Sequence, residues 1–184
     1  MIILGVTGSL AAYKAVEILR LLTKAGQEVH VLMTEAATRF VGPLTFQAIS
    51  GHPVLTDTLD PKGWQMAHLD LPESASVMLV APASANILAK LAMGLADNIL
   101  TAAALAIPRT EKGKLKVPFF IAPAMHAGMW RHPATQANVK TLKGYGYQFI
   151  GPVRGPLGRQ ADEGTGRLEE PQLIVSKVLN VLAK

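Results

Sequence analysis

Met1-Ile2-Ile3-Leu4-Gly5-Val6-Thr7-Gly8-Ser9 opens the chain, and the reading of this stretch decides the fold. Ile2–Val6 is a short apolar run of β-forming residues, read as a strand, and Thr7-Gly8-Ser9 punctuates it. Across residues 10–25, Val16, Leu19 and Leu22 recur at helical spacing, and Gly26 is a natural C-terminal stop. Residues 28–33 then read as a second strand. Strand, turn, helix and strand within about 33 residues make a βαβ unit, the building block of a doubly wound parallel sheet. The turn carries chemistry of its own. Gly8 permits close backbone approach, Ser9 can cap the helix and offer its hydroxyl, and N–H groups at a helix start attract anions. This is a mononucleotide-style phosphate site; the Gly-x-Gly-x-x-Gly and P-loop patterns are both absent.

Outward from that unit the alternation continues. Thr34 closes the second strand at the edge where ligands gather. Residues 35–40 and 44–49 read as short helices, 51–63 as loop, and 64–71 as a loop between strands that carries His68 among apolar neighbours. Residues 76–80 form a third strand, ending at Ala81-Pro82-Ala83-Ser84-Ala85-Asn86. Small residues there let a planar ligand lie against backbone; Ser84 and Asn86 supply polar groups for ring edges, and Ser84 also suits an N-cap. Helices follow at 85–91 and 99–106, with Asp97 as the expected cap of the second. Residues 109–116 are an exposed charged connector, and 119–122 a fourth strand.

That strand leads into Pro123-Ala124-Met125-His126-Ala127-Gly128-Met129-Trp130-Arg131-His132-Pro133. Two Met, a Trp, two His and an Arg make this an unusual connector, in which apolar walls alternate with groups that bond or titrate. A helix at 134–142, a fifth strand at 147–150, a Gly-rich loop at 151–166 and an amphipathic helix at 169–182 complete the chain. The Gly-rich loop is expected to be a flexible lid, over about residues 151–167.

The bulk numbers agree with one domain over residues 1–184, of α/β class. Hydrophobic residues make up 49% and charged residues 17%, which excludes disorder and suggests surface buried between subunits. With no Cys there is no disulfide, thiolate metal site or Cys nucleophile, and no metal is expected; the absence fits a reducing cytoplasm. The net charge of +5 is dispersed without a polybasic run, so a small anionic ligand is expected rather than nucleic acid. No signal peptide is visible. Lys90, Asp97 and Asn98 interrupt the longest apolar stretch, 87–107, so no membrane span is expected.

Four stretches together resemble the flavoproteins that decarboxylate cysteine-derived carboxylates. They are Gly5-Val6-Thr7-Gly8-Ser9-Leu10-Ala11-Ala12-Tyr13-Lys14, His68-Leu69, Pro82-Ala83-Ser84-Ala85-Asn86, and residues 123–133. They run in family order over nearly the whole chain, and they resemble most the phosphopantothenoylcysteine decarboxylases. That resemblance implies FMN and a flavodoxin-like, Rossmann-like three-layer sandwich with a parallel sheet. It implies a homotrimer, assembled further into a dodecamer, with active sites at subunit contacts, and a cytoplasmic place in coenzyme A biosynthesis beside a synthetase domain or subunit. It places Gly8 and Ser9 at the FMN phosphate, Thr34, Ser84, Ala85 and Asn86 near the cofactor, and Met125 against the flavin. It makes His68 catalytic, and assigns the substrate to Ala124, Met125, His126 and Arg167.

Two departures from the family pattern stand out. His126 occupies the place of an Asn associated with the substrate carboxylate. The lid Ala161-Asp162-Glu163-Gly164-Thr165-Gly166-Arg167 keeps its Gly-x-Gly-Arg end but lacks the Cys that donates the final proton. Either another acid, Asp162 or His126, supplies that proton, or the reaction stops at an enethiol as in peptidyl-cysteine decarboxylases. The two departures occur together in a subset resembling bacterial coenzyme A enzymes, which favours the first. A flavin prenyltransferase would need a basic dimethylallyl-phosphate site, whose pattern is missing. A non-catalytic flavin-binding regulatory subunit is a third reading, against which stands the lack of an acidic tail.

Overall fold

The opening stretch folds as a βαβ unit: β1 (Ile2–Val6), α1 (Ala12–Lys24) and β2 (Val29–Met33). The computed structural model describes residues 1–58, 67–158 and 163–183. After β2 come α2 (Glu35–Thr38), α3 (Pro43–Ser50), α4 (Ala67–Ser74), β3 (Val77–Ala83), α5 (Ala85–Met93) and α6 (Ile99–Ala106). The chain continues through β4 (Phe119–Pro123), α7 (Ala127–Arg131), α8 (Pro133–Gly144), β5 (Gln148–Phe149), β6 (Val153–Pro156), β7 (Glu163–Arg167) and α9 (Pro171–Leu182).

Five strands pair in the order β2-β1-β3-β4-β5, all parallel. Alternation along each strand feeds two cores. Ile2, Leu4 and Val6 of β1 join Ile18, Leu22 and Ile174 on one face, while Ile3, Met78 and Ile121 join Leu88, Leu100 and Leu142 on the other. The first face is covered by α1, α3 and α9, the second by α4, α5, α6 and α8. β1 to β4 are buried along their whole lengths, as parallel strands under two helical layers must be. This is the expected three-layer α/β sandwich, with the flavodoxin-like strand order. Because α1 leaves β1 toward one face and α5 leaves β3 toward the other, a crevice opens where the order reverses, at the carboxyl ends of β1 and β3.

The structure corrects several local expectations. The Gly-rich 151–166 segment is not loop throughout: β6 and β7 pair as an antiparallel ribbon. Its glycines allow this, because Met125 N–H donates to Gly166 O at 2.9 Å and a Cβ on Gly166 would lie 2.2 Å from Met125 O. His68 lies on helix α4 rather than in a loop, because Leu71 turns into the core and the helix packs on α6. The 123–133 connector contains the short helix α7, capped by His126. Asp97 does not cap α6. Asn98 does, accepting from Leu100 N–H and Thr101 N–H, while Asp97 pairs with Lys90, whose hydrogen bond holds the Asp97 carboxyl below its usual range. Ser84 caps α5 as expected.

Candidate active site

The carboxyl edge of the sheet is tied together by backbone-directed hydroxyls. Thr7 Oγ1 donates to Pro82 O at 2.7 Å and accepts from Ser84 N–H at 3.0 Å, so the β1 and β3 turns are locked to each other. Buried Thr7 went unassigned in the sequence, although its place directly after a strand was visible. Ser9 does not cap α1, whose N-cap is Ala11. Its hydroxyl accepts from Ala11 N–H and donates to Ala124 O at 3.3 Å, linking the first turn to the end of β4. Ala124 N–H in turn donates to Ala83 O. Thr34 caps α2, and its N–H donates to Val6 O. Gly8 lets α2 approach the first turn: a Cβ there would meet Ala36 Cβ at 2.6 Å.

Against this edge lies a cleft of about 890 Å³, closed on one side by the ribbon. Ser9, Lys14, Met125, His126, Leu157 and Arg167 are among its walls, with Ala124 beside them. Five of the expected site residues therefore meet in one space: Ser9, Ala124, Met125, His126 and Arg167. Gly8, Thr34, Ser84, Ala85 and Asn86 lie at the neighbouring ends of β1, β2 and β3, outside that lining.

His126 Nδ1 accepts from Gly128 N–H at 3.1 Å, which caps α7. In the neutral ring this acceptor role puts the proton on Nε2. Arg167 pairs with Glu170 Oε1, and Lys14 Nζ lies 3.6 Å from Glu170 Oε2. Two cations thus share one carboxylate at the cleft wall, leaving a net positive charge there. Lys14 and Glu170 were not singled out in the sequence. Lys14 stood within a quoted motif, but only the fold brings α9 to α1.

His68 is not among the residues lining the cleft. Among the described residues, its Nδ1 is the one buried side-chain nitrogen or oxygen with no hydrogen-bond partner. Such an atom costs about 1–3 kcal/mol unless something completes it. Asp162 lies outside the described residues. No described helix is long and apolar enough to cross a membrane.

The chain matches the Flavoprotein family over residues 1–183. A Streptococcus mutans protein named as a phosphopantothenoylcysteine decarboxylase is 45% identical over 178 residues, covering 96% of each chain. Bifunctional coenzyme A biosynthesis proteins of Haemophilus influenzae and Bacillus subtilis are 42% and 45% identical, and this chain spans 41% of their length. Among solved structures, a mutant of PPC decarboxylase complexed with pantothenoylaminoethenethiol superposes with a TM-score of 0.83 at 30% identity, over 100% of this chain and 98% of that one. The FMN-dependent cysteine decarboxylase SpaF gives 0.78 at 33% identity, over 98% and 96%. A flavodoxin-like sandwich, a cleft at the carboxyl edge of its sheet and a match along nearly all 184 residues converge: this chain belongs to the Flavoprotein family.

Proposed function

We propose that this chain is an FMN-dependent carboxy-lyase that converts 4'-phosphopantothenoylcysteine to 4'-phosphopantetheine and CO2 in coenzyme A biosynthesis. The observation that carries the reading is the cleft in which Ser9, Met125, His126 and Arg167 meet at the carboxyl edge of the sheet. The residues fit FMN. The Ser9 and Thr34 hydroxyls and the backbone at Gly8 suit a phosphate, while Ser84, Ala85 and Asn86 offer small and polar surroundings for a flat ring, and Met125 offers an apolar contact. Bound there, FMN supplies a reversible hydride acceptor, which lets a carboxylate leave from an otherwise unactivated carbon.

The protein's own groups orient the substrate and move its protons. Lys14 and Arg167 hold the anionic substrate, exchanging part of their pairing with Glu170 for it. His126 donates Nε2–H to the substrate carboxylate. This reproduces what an Asn amide offers, since the Gly128 bond already sets the tautomer. His68 takes the thiol proton at Nδ1, the buried atom without a partner among the described residues. As it is absent from the cleft lining, the site is completed by a second copy, in a homotrimer that assembles further into a dodecamer. Asp162 remains the proposed donor of the final proton, with His126 the alternative. A cytoplasmic location and a synthetase domain or subunit as partner belong to the same reading, by analogy with the bifunctional relatives.

A second reading is oxidative decarboxylation of a peptidyl-cysteine, ending at the enethiol. The likeness to SpaF and the lack of any Cys favour it. Anaerobic single turnover with phosphopantothenoylcysteine separates the two. Flavin bleaching followed by recovery, with stoichiometric phosphopantetheine by mass, supports the proposal. Accumulation of reduced flavin with an enethiol product overturns it in favour of the second reading.

A further inference from the structure

The end of the sheet opposite the cleft carries a second cluster of chemically capable side chains. Glu28 precedes β2, His30 lies within it, and His52 follows α3 in the segment that runs beside β2. Glu28 and His30 share one side of the strand by its two-residue period. His52 is delivered to them by the turn at Gly51, whose φ of 75° closes α3. Two backbone bonds then hold the segment against the sheet edge, Leu55 N–H to Val31 O and Met33 N–H to Leu55 O. The Ser50 hydroxyl accepts from His52 N–H and holds the turn.

Three ligand-type atoms converge there. Glu28 Oε1 lies 3.0 Å from His30 Nε2 and 3.9 Å from His52 Nε2, and all three atoms lie within 4.8 Å of one another. The two imidazoles stack, with centroids 4.2 Å apart and planes inclined by 26°, so that both turn Nε2 toward the same carboxylate. Zinc–ligand bonds of 2.0–2.2 Å place tetrahedral donors roughly 3.3 Å apart, which the two separations from Glu28 bracket. The remaining adjustment falls on His52, whose side chain is 35% exposed, whereas His30 is held at 10%.

We propose that Glu28, His30 and His52 bind a divalent cation of the zinc class, with water in the fourth position, and that the ion pins the 51–55 segment to edge strand β2. Two imidazoles and one carboxylate suit Zn²⁺ better than Mg²⁺ or Ca²⁺, which take oxygen ligands. The site is separate from the cleft and independent of the proposed decarboxylase activity.

The test is titration of the untagged, chelator-treated full chain with Zn²⁺ against a competing indicator, with Co²⁺ absorption as a report on ligand geometry. One equivalent per chain is expected in the micromolar range or tighter. His52→Ala and Glu28→Gln each weaken it by roughly 10- to 100-fold or more, whereas His132→Ala, at the cap of α8, leaves it unchanged. Zn²⁺ should raise the melting temperature of the parent chain and not that of His52→Ala. His52 lies on an edge segment, so its loss leaves the fold intact and the comparison interpretable. Binding that is absent at micromolar Zn²⁺, or equally tight in His52→Ala and Glu28→Gln, overturns the proposal and leaves a carboxylate shared by two imidazoles.

Discussion

His126 lines the cleft and closes a helix cap within its own chain; His68 lies outside that lining, its buried Nδ1 without a partner among the described residues. Both were expected to serve the same reaction. The difference separates a group oriented by its own backbone from one that, in the proposed function, needs something else to complete it. In the proposed oligomer that something is the cleft of a second copy. In the proposed function the two histidines make opposite demands: His126 on local backbone, His68 on the proposed assembly.

The sharpest way to break this comparison is at His68. His68→Asn is expected to lower kcat by about 10²- to 10⁴-fold, the usual worth of a positioned proton acceptor, with the melting temperature unchanged or raised. Near-normal turnover would remove His68 from the chemistry. Arg167→Met comes next, with a rise in KM of roughly 10- to 100-fold from the lost charge-assisted bond and a smaller change in kcat. Mixing His68→Asn subunits with Arg167→Met subunits after dissociation should restore part of the activity, since some mixed sites then carry both residues. No recovery in verified mixed oligomers would place His68 and Arg167 of one chain in the same site.

Gly166→Ala tests the wall near His126. Its methyl would meet the Met125 carbonyl, a backbone atom that cannot swing away, so thermal unfolding should show a loss of about 1–3 kcal/mol. Smaller effects belong to His126 itself. His126→Ala loses the cap of α7, at about 1 kcal/mol by chemical denaturation. His126→Asn keeps both an acceptor for the Gly128 N–H and a neutral donor, so kcat/KM should stay close to that of the parent. A large loss with Asn would mean that the imidazole acts as an acid, and would move the final proton from Asp162 to His126.

Legibility in the sequence followed the range of the interactions. Ser84 as a cap needs only Ile87, three residues on, and the pattern revealed it. Asp97 and Asn98 are adjacent polar residues before one helix, and pattern alone chose the wrong one. The choice rests on which oxygen reaches Leu100 and Thr101. The Gly-rich 151–166 segment has almost no apolar residues to announce strands, so its pairing became visible only through contact with Met125.

By itself the sequence determined the parallel α/β sandwich, the βαβ start, the five strands of the main sheet in chain order, and the family motifs that mark the site. These depend on periodicities of two and 3.6 residues, on caps, and on short motifs, all of which act over a few neighbours. The tertiary structure alone decided that Lys14 meets Glu170, that the ribbon walls the cleft, that His68 stays outside it, and that His52 reaches Glu28 and His30. Each of those joins segments far apart in the chain, and their approach is set by which helix covers which face of the sheet.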